Sequence, residues 1–221
     1  MKKFVIFISL IFLVFFIFLM LKPNRWDAYF QKKLNDTPRE FVVNSLKSIP
    51  NPTPNATAID FGAGVGHETL LLLQKRYTVL AIDNQKSALK ILLNRTDIKP
   101  YHNHIKTYES SFEKLNLKNT PKSDIVIASF ALPFCNSRKF NQFWHQVREN
   151  IKPGGYFIGN TFDPGFTAFE KKDRVNMTFH TKSETIKLFD DFEILTLNEV
   201  KKEATTPGKD DHYYEIVARK K

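Results

Sequence analysis

The chain has 221 residues, of which 42% are apolar and 25% are charged, and this composition excludes an intrinsically disordered protein. The 33 lysine and arginine residues outnumber the 23 aspartate and glutamate residues, which gives a formal net charge of +10. Cys135 is the one cysteine, so the sequence excludes an intramolecular disulfide and a zinc site built on several thiolates.

The first predicted element is a membrane anchor over residues 4–21, where every residue except Ser9 is Phe, Leu, Ile, Val or Met. Eighteen helical residues rise about 27 Å, close to the hydrocarbon thickness of a bilayer. The run is longer than the apolar core of a signal peptide, and no small-x-small cleavage site follows it. We therefore predict a transmembrane helix in domain 1–21 that stays uncleaved.

Charge on the two sides of this run predicts its orientation. Two lysines and the amino terminus precede it, whereas five basic residues follow it, so the positive-inside rule favours a cytoplasmic location for the rest of the chain. The five residues are Lys22, Arg25, Lys32, Lys33 and Arg39. They suit either anionic lipid head groups or a solvated helix face, and both interpretations stay open.

Residues 22–55 are predicted to form a juxtamembrane helical segment and a linker. The pattern Thr37-Pro-Arg-Glu40 is typical of a helix start, with Thr37 as the N-cap, and this helix is expected to run to about residue 47. The proline-rich stretch 49–54 ends it. The remaining domain is assigned to residues 56–221.

From residue 56 onward, short apolar runs alternate with helical patterns. Predicted strands cover 57–61, 77–82, 104–108, 125–129 and 156–161, and predicted helices cover 68–75, 85–94 and 140–151, the last closed by Lys-Pro-Gly-Gly at 152–155. This alternation predicts a doubly wound α/β fold with a mostly parallel sheet. After a helix at 184–189, strands at 192–200 and 213–219 follow one another directly, which predicts an antiparallel edge hairpin.

Three glycines, Gly62, Gly64 and Gly66, lie between the first predicted strand and the first predicted helix. Glycine permits a sharp turn and a close approach of the backbone to a ligand. Asp83 ends the next strand, where a carboxylate accepts hydrogen bonds from ribose hydroxyls. A dinucleotide fingerprint needs its third glycine at the position of His67, and no Walker-type Gly-Lys-Ser/Thr is present. The pattern predicts a nucleoside-type cofactor; the alternative is a glycine turn that only packs a helix on a strand.

Over about residues 40–221 the sequence resembles the class I S-adenosylmethionine-dependent methyltransferases. Residues 60–66 (Asp-Phe-Gly-Ala-Gly-Val-Gly) match the first motif of that family, residues 81–83 the second, and residues 152–156 the last. The resemblance implies a Rossmann-like sheet of seven strands, with the antiparallel pair at one edge. Residues 131–135, 177–181 and 214–220 are similar to a bacterial branch close to the tellurite-resistance methyltransferases.

The resemblance implies S-adenosyl-L-methionine as the cofactor and a set of residues that bind it. They are Asp60, Gly62, Ala63, Gly64, Gly66, Asp83, Ser111, Phe112 and Ser129. The loop would hold the methionine part through its backbone, with Asp60 towards the amino group and Asp83 on the ribose. Ser129 would lie near the transferring methyl group. Ser111 stands where many members have an acid beside the adenine, and Phe112 is the alternative contact for the ring.

Methyl transfer from a sulfonium needs positioning more than proton transfer, so no catalytic residue is assigned. His180 is either a residue of the substrate mouth or a turn histidine, and Cys135 is more simply a buried apolar residue. His102 and His104 are expected to share one strand face, but without a third ligand no metal site is predicted.

These features predict a membrane-anchored methyltransferase that acts on a small-molecule or lipidic acceptor. A nucleic-acid methyltransferase is less favoured, because the basic residues are dispersed and residues 129–134 form no base-methylating tetrapeptide. A non-catalytic module that binds cofactor or protein on the same fold is a further alternative, motivated by Ser111. The sequence leaves the acceptor and the oligomeric state open.

Overall fold

The structure, a computed structural model, describes residues 25–202 and 209–221. Asp36–Lys221 form one compact unit, and helix α1 (Arg25–Lys33), which precedes it in the chain, does not belong to that unit. In α1, the rings of Trp26, Tyr29 and Phe30 contact one another, with centroids 5.6–6.0 Å apart. The predicted anchor over residues 4–21 lies outside the described residues. Within the two described ranges, no helix has the length and apolar character that a membrane span needs.

The compact unit alternates strands and helices along the chain, as the sequence predicts. In order, its elements are α2 (Glu40–Ser48), β1 (Thr57–Phe61), α3 (His67–Gln74), β2 (Thr78–Asp83), α4 (Lys86–Asn94), β3 (Ile105–Glu109), β4 (Ser123–Ala128), α5 (Ser137–Asn150), β5 (Ile151–Phe162), α6 (Lys171–Arg174), α7 (Lys182–Leu188), β6 (Phe192–Lys202) and β7 (Asp211–Lys220). Short 3₁₀ turns cover Lys99–His104, Phe112–Lys114 and Leu132–Phe134.

The strands form one seven-stranded sheet in the order β3-β2-β1-β4-β5-β7-β6. The first five strands are parallel to one another, and β7 runs antiparallel to both β5 and β6. The mostly parallel sheet and its antiparallel edge pair are therefore confirmed. From β1 the chain first builds β2 and β3 on one side of that strand, and it then crosses to the other side, where β4 pairs with β1. Such a reversal opens a crevice at the carboxyl ends of the strands, where ligands bind in folds of this kind.

Helices cover both faces of the sheet, because the central strands are apolar on both sides. On one face, Val42 and Leu46 of α2 join Leu72 of α3 and Leu92 of α4 in a buried cluster. On the other face, α5 contributes the large side chains that pack on the sheet, and they are Phe140, Phe143, Trp144 and Val147. This two-sided burial is the physical reason for the continuous apolar runs in the sequence.

The predicted start of α2 is wrong by two residues, because the N-cap is residue 39 and not Thr37. The helix begins at Glu40, and Arg39 occupies the N-cap position with no capping hydrogen bond from its side chain. The guanidinium of Arg39 instead lies 3.9 Å from the centroid of the Phe130 ring. Residue 39 is extended, as an N-cap residue normally is, and the helix therefore starts two residues later than a Thr37 cap would give.

Two other local predictions are also corrected. Residues 152–155 do not close a helix, because they form a bulge within β5, where Ser123 pairs with Ile151 and Ile125 pairs with Tyr156. His102 and His104 share no strand face, because they belong to the 3₁₀ turn that ends before β3.

Candidate functional site

The glycine loop connects β1 to α3 and bends through backbone conformations that favour glycine. Gly62 has φ +67° and Gly66 has φ +85°. A Cβ atom on Gly62 would lie 2.8 Å from Cβ of Ala131, and one on Gly66 would lie 2.6 Å from Cγ of Leu92. Both positions therefore need glycine for conformation and for space.

The amides of this loop donate their hydrogen bonds inside the protein. The bonds run from Gly62 and Ala63 to the Ile82 carbonyl (2.8 and 3.0 Å), from Gly64 to Oδ2 of Asp83 (2.9 Å), and from Gly66 to the Ala63 carbonyl (2.8 Å). A phosphate-binding loop needs such N–H groups for its ligand. These four are engaged elsewhere, so the geometry does not favour a phosphate here.

Asp83 ends β2 directly beneath the loop, and its carboxylate joins two backbone segments. Oδ2 accepts from Gly64, and Oδ1 accepts from the Gln85 amide at 2.8 Å. Burial raises the pKa of Asp83, while these backbone hydrogen bonds act in the opposite direction. Each carboxylate oxygen has a further lone pair, so the group can still accept hydrogen bonds from a ligand.

Asp60 is buried within β1, where Oδ2 accepts a 2.6 Å hydrogen bond from the Thr69 hydroxyl. Burial raises the pKa of Asp60 well above its usual range, and the carboxylates of Glu68 and Asp83 add to this effect. Three carboxyl groups thus surround the loop. A cationic group bound there would lower their mutual repulsion.

Ser111 and Phe112 follow β3, on the far side of the loop. The Ser111 carbonyl accepts from the Ser110 hydroxyl at 2.9 Å. The Phe112 ring stacks on Phe143, with centroids 4.7 Å apart, and its Cζ lies 4.0 Å from where a Cβ on Gly62 would be. Phe112 is therefore beside the glycine loop, with one ring face already covered.

Ser129 and Asn160 continue the polar region to the ends of β4 and β5. They follow Ala128 and Gly159, which pair with each other in the sheet. Oγ of Ser129 and Nδ2 of Asn160 are buried without a hydrogen-bond partner among the described residues, and Asn160 has no exposed surface. Buried polar groups of this kind are normally satisfied, so both are available to a ligand.

Asn160 was missed by the sequence analysis, although it interrupts an apolar run in β5. Its Oδ1 accepts a 3.2 Å hydrogen bond from the amide of Phe130, which has φ +51°. A left-handed phenylalanine is uncommon and needs support from its surroundings. The Phe130 ring packs against Phe162 and Tyr213, with centroids 5.6 and 4.9 Å away. Asn160 thus supports an aromatic wall beside the polar region.

The other candidate residues lie at the margin of this region. His180 packs its ring on Phe140, with centroids 4.6 Å apart, and burial lowers its pKa. The Cys135 thiol is buried, and burial raises its pKa to about 12. A thiol with this pKa stays protonated at neutral pH, which does not favour a nucleophilic role.

Comparison with protein families gives a match over most of the chain. A family model described as "Tellurite resistance protein TehB" matches residues 22–210. Among solved structures, TehB from Haemophilus influenzae is similar with a TM-score of 0.68 and 22% identity, over 89% of this chain and 67% of that one. The N-methyltransferase NodS from Bradyrhizobium japonicum, in complex with S-adenosyl-L-homocysteine, has a TM-score of 0.65 and 13% identity, over 89% of this chain and 99% of that one.

Two curated proteins are similar over shorter stretches. Phosphoethanolamine N-methyltransferase 3 from Arabidopsis thaliana is 24% identical over 127 residues, which are 57% of this chain and 25% of that protein. Carboxy-S-adenosyl-L-methionine synthase from Campylobacter lari is 25% identical over 125 residues, which are 53% of this chain and 51% of that protein. The chain thus matches a quarter of one relative and about half of the other.

Proposed function

This chain belongs to the TehB family of class I S-adenosylmethionine-dependent methyltransferases, and we propose that it transfers a methyl group from S-adenosylmethionine to a small or lipidic acceptor. The observation that carries the proposal is the chemistry of the glycine loop. Four of its amides are bonded internally, and the carboxyl groups of Asp60, Glu68 and Asp83 lie around it. S-adenosylmethionine fits such a site because it carries a sulfonium and an ammonium group but no phosphate.

The cofactor would lie across the loop, with its two ends held by different strands. The buried Asp60 would face the ammonium group, which would stabilise the carboxylate form that burial disfavours. Asp83 would accept hydrogen bonds from the ribose hydroxyls with its remaining lone pairs. The side of the Phe112 ring that Phe143 does not cover would contact the adenine. Ser111 would close the same end of the site.

When bound, the cofactor supplies an activated methyl group, so this chain has to orient the acceptor and exclude water. Ser129 and Asn160 are the polar groups near the ends of β4 and β5, the two strands next to β1 on the side away from β2. The buried hydroxyl of Ser129 would hydrogen-bond to the cofactor, and the buried amide of Asn160 to the acceptor, near the transferring methyl group. The ring of Phe130 and the guanidinium of Arg39 would form the outer wall on the acceptor side.

Family likeness suggests soft nucleophiles as acceptors, namely thiols and the oxyanions of selenium and tellurium. A lipid or quinone acceptor would instead follow from membrane attachment. We extend the proposal to a single-pass anchor over residues 4–21, a connecting segment over residues 22–55 and a methyltransferase domain over residues 56–221 that faces the cytoplasm. The apolar run and the basic residues after it support this arrangement.

The first test is calorimetric titration of the detergent-purified full-length chain with S-adenosylhomocysteine and S-adenosylmethionine. We expect binding of both, and a wild-type protein that binds neither contradicts the proposal. Transfer of labelled methyl groups is then measured with tellurite, selenite, a small thiol and a bacterial lipid extract as probes. Asn160→Leu is expected to lower transfer to the active probe while leaving the affinity for S-adenosylhomocysteine within about threefold.

The proposed anchor is tested separately, by membrane fractionation of cells that express the chain with and without residues 1–21. We expect the full-length protein in the membrane fraction after a high-salt wash, and the shortened protein outside it. A full-length protein that is released by salt would leave only an electrostatic attachment, and the anchor would be wrong.

A further inference from the structure

Arg95 contacts the turn between the glycine loop and α3, and the sequence motifs assign it no role. It follows the last residue of α4, and its side chain is only 15% exposed. Nη1 donates to the Val65 carbonyl at 3.0 Å and lies 3.3 Å from Nδ1 of His67. Because a guanidinium can only donate, His67 must accept with Nδ1. Nη1 of Arg95 therefore contacts both Val65 and His67 at the turn into α3.

The rest of the guanidinium is fixed by Asp97. Nε donates to Oδ1 at 2.9 Å, and Nη2 donates to Oδ2 at 2.7 Å. This paired hydrogen bond lowers the pKa of Asp97 and sets the plane of the guanidinium. Asp97 is 47% exposed, so it orients Arg95 from the solvent side while Nη1 reaches the loop.

Helix α4, which ends just before Arg95, also packs directly against the loop. A Cβ on Gly66 would lie 2.6 Å from Cγ of Leu92, which leaves no space between α4 and this turn. The same helix begins three residues after Asp83, whose carboxylate binds the Gly64 amide from the opposite side. The loop is therefore fixed by the hydrogen bond from Gly64 to Asp83, by the packing of Leu92 at Gly66 and by the contacts of Arg95 with Val65 and His67.

We propose that Arg95 is a positioning residue for cofactor binding, which acts by holding the Val65 carbonyl and the His67 ring in place. The inference rests on the proposed function, because it assumes that the loop binds S-adenosylmethionine. Arg95 touches no ligand in this account. Without Arg95 the turn would sample other conformations in the free protein. Ordering it when the cofactor binds would cost free energy and would lower the affinity.

The test is calorimetric titration of the full-length chain with S-adenosylhomocysteine. Arg95→Met keeps the apolar stem of the side chain and loses its donors, and we expect its affinity to fall about tenfold. Arg95→Lys keeps one cationic donor that can reach the Val65 carbonyl, and it is expected to recover part of the loss. Asp97→Asn keeps one of the two acceptors that set the guanidinium plane, so its loss of affinity should be smaller than that of Arg95→Met.

Arg148→Met is the matched control, because Arg148, near the end of α5, forms ion pairs with Asp190 and Asp191 and none with the glycine loop. Thermal unfolding of each variant separates loss of stability from loss of affinity. The inference is supported when Arg148→Met binds like the wild type and Arg95→Met does not. It is overturned when a folded Arg95→Met binds like the wild type, or when equal losses of stability give equal losses of affinity in both variants.

Two further outcomes are decisive. A wild-type chain that does not bind S-adenosylhomocysteine defeats the proposed function and this inference with it, whereas unchanged binding in Arg95→Met defeats only the inference. Where Arg95→Met does not fold, Arg95→Lys decides the question. A folded Arg95→Lys with wild-type affinity at both low and high salt would show that the two-point contact is dispensable.

Discussion

Oδ2 of Asp83 accepts a 2.9 Å hydrogen bond from the amide of Gly64, which joins the end of β2 to the glycine loop. The two residues are 19 positions apart, and the bond links the glycine motif at 60–66 directly to the acidic motif at 81–83. A carboxylate in this position both shapes the loop and remains available to a ligand.

Asp83→Ala is expected to weaken the binding of S-adenosylhomocysteine by about 1.5–3 kcal/mol, since a charged hydrogen-bond acceptor is lost. Asp83→Asn keeps one acceptor oxygen and should lose less. Calorimetry measures both affinities. Asp124→Asn is the control, because Asp124 binds Lys152 near the start of β4, at the opposite end of the parallel strands from the glycine loop. An Asp83→Ala protein with wild-type affinity would show that the ribose lies elsewhere.

Gly66→Ala is expected to lower the free energy of unfolding by about 1–3 kcal/mol, because φ is +85° and Leu92 fills the space beside it. Denaturant titration measures the loss. The double variant Gly66→Ala/Leu92→Ala removes the clash but keeps the backbone strain. Its cost should therefore be smaller than the sum of the two single costs, whereas strict additivity would mean that Leu92 does not limit this position.

Asp60→Asn is expected to change how stability depends on pH. The folded state raises the pKa of Asp60 above the unfolded value of about 4, so the wild-type protein loses stability as pH rises through the folded pKa. Asparagine avoids this loss and still accepts from the Thr69 hydroxyl. Without cofactor, the variant should be the more stable protein at pH 8, and the difference should shrink as pH falls towards 4.

The same denaturant titrations, repeated from pH 4 to 8, provide the check on Asp60. Thr69→Val is the companion variant, because it removes the donor and leaves the buried carboxyl group without this partner. It should be less stable than the wild type by about 1–3 kcal/mol. Parallel stability curves for Asp60→Asn and the wild type would contradict the raised pKa.

Tyr214→Phe is expected to lower the free energy of unfolding by about 1–2 kcal/mol, because the buried phenol donates a 2.7 Å hydrogen bond to Oδ2 of Asp163. This bond ties β7 to the residue that follows β5. Thermal unfolding at neutral pH gives the measurement. His212 contacts the other oxygen of the same carboxylate, Oδ1 of Asp163, at 3.0 Å. The losses of stability in Tyr214→Phe and His212→Gln should therefore be non-additive.

The sheet and the glycine loop could be predicted because their signals are local. Alternating apolar runs predicted the strands and a mostly parallel, doubly wound sheet, and Gly62–Gly66 with Asp83 lie within 22 consecutive residues. Asn160 is different, because its role depends on the pairing of β5 with β4 and on the unusual backbone of Phe130. No spacing in the sequence contains that information.

Two identical patterns show where local reasoning ends. Thr37 and Thr181 are each followed three positions later by glutamate. At Thr181 the pattern forms a complete capping box with Glu184, and α7 begins at the next residue. At Thr37 it does not: α2 begins at Glu40, with Arg39 at the N-cap position and its guanidinium packed on the Phe130 ring. The three-residue spacing alone therefore does not tell which threonine caps a helix.

The bulge in β6 has a consequence for how copies of the chain meet in a crowded cell. Register shifts between Ile194 and Thr196, so Leu195 is an extra residue on a strand that forms one edge of the sheet. A bulge bends such an edge, and the charged side chains of Glu193 and Lys201 would lose contact with solvent if another strand paired there. The exposed Leu195 thus belongs to a device that keeps the sheet from being extended by another chain.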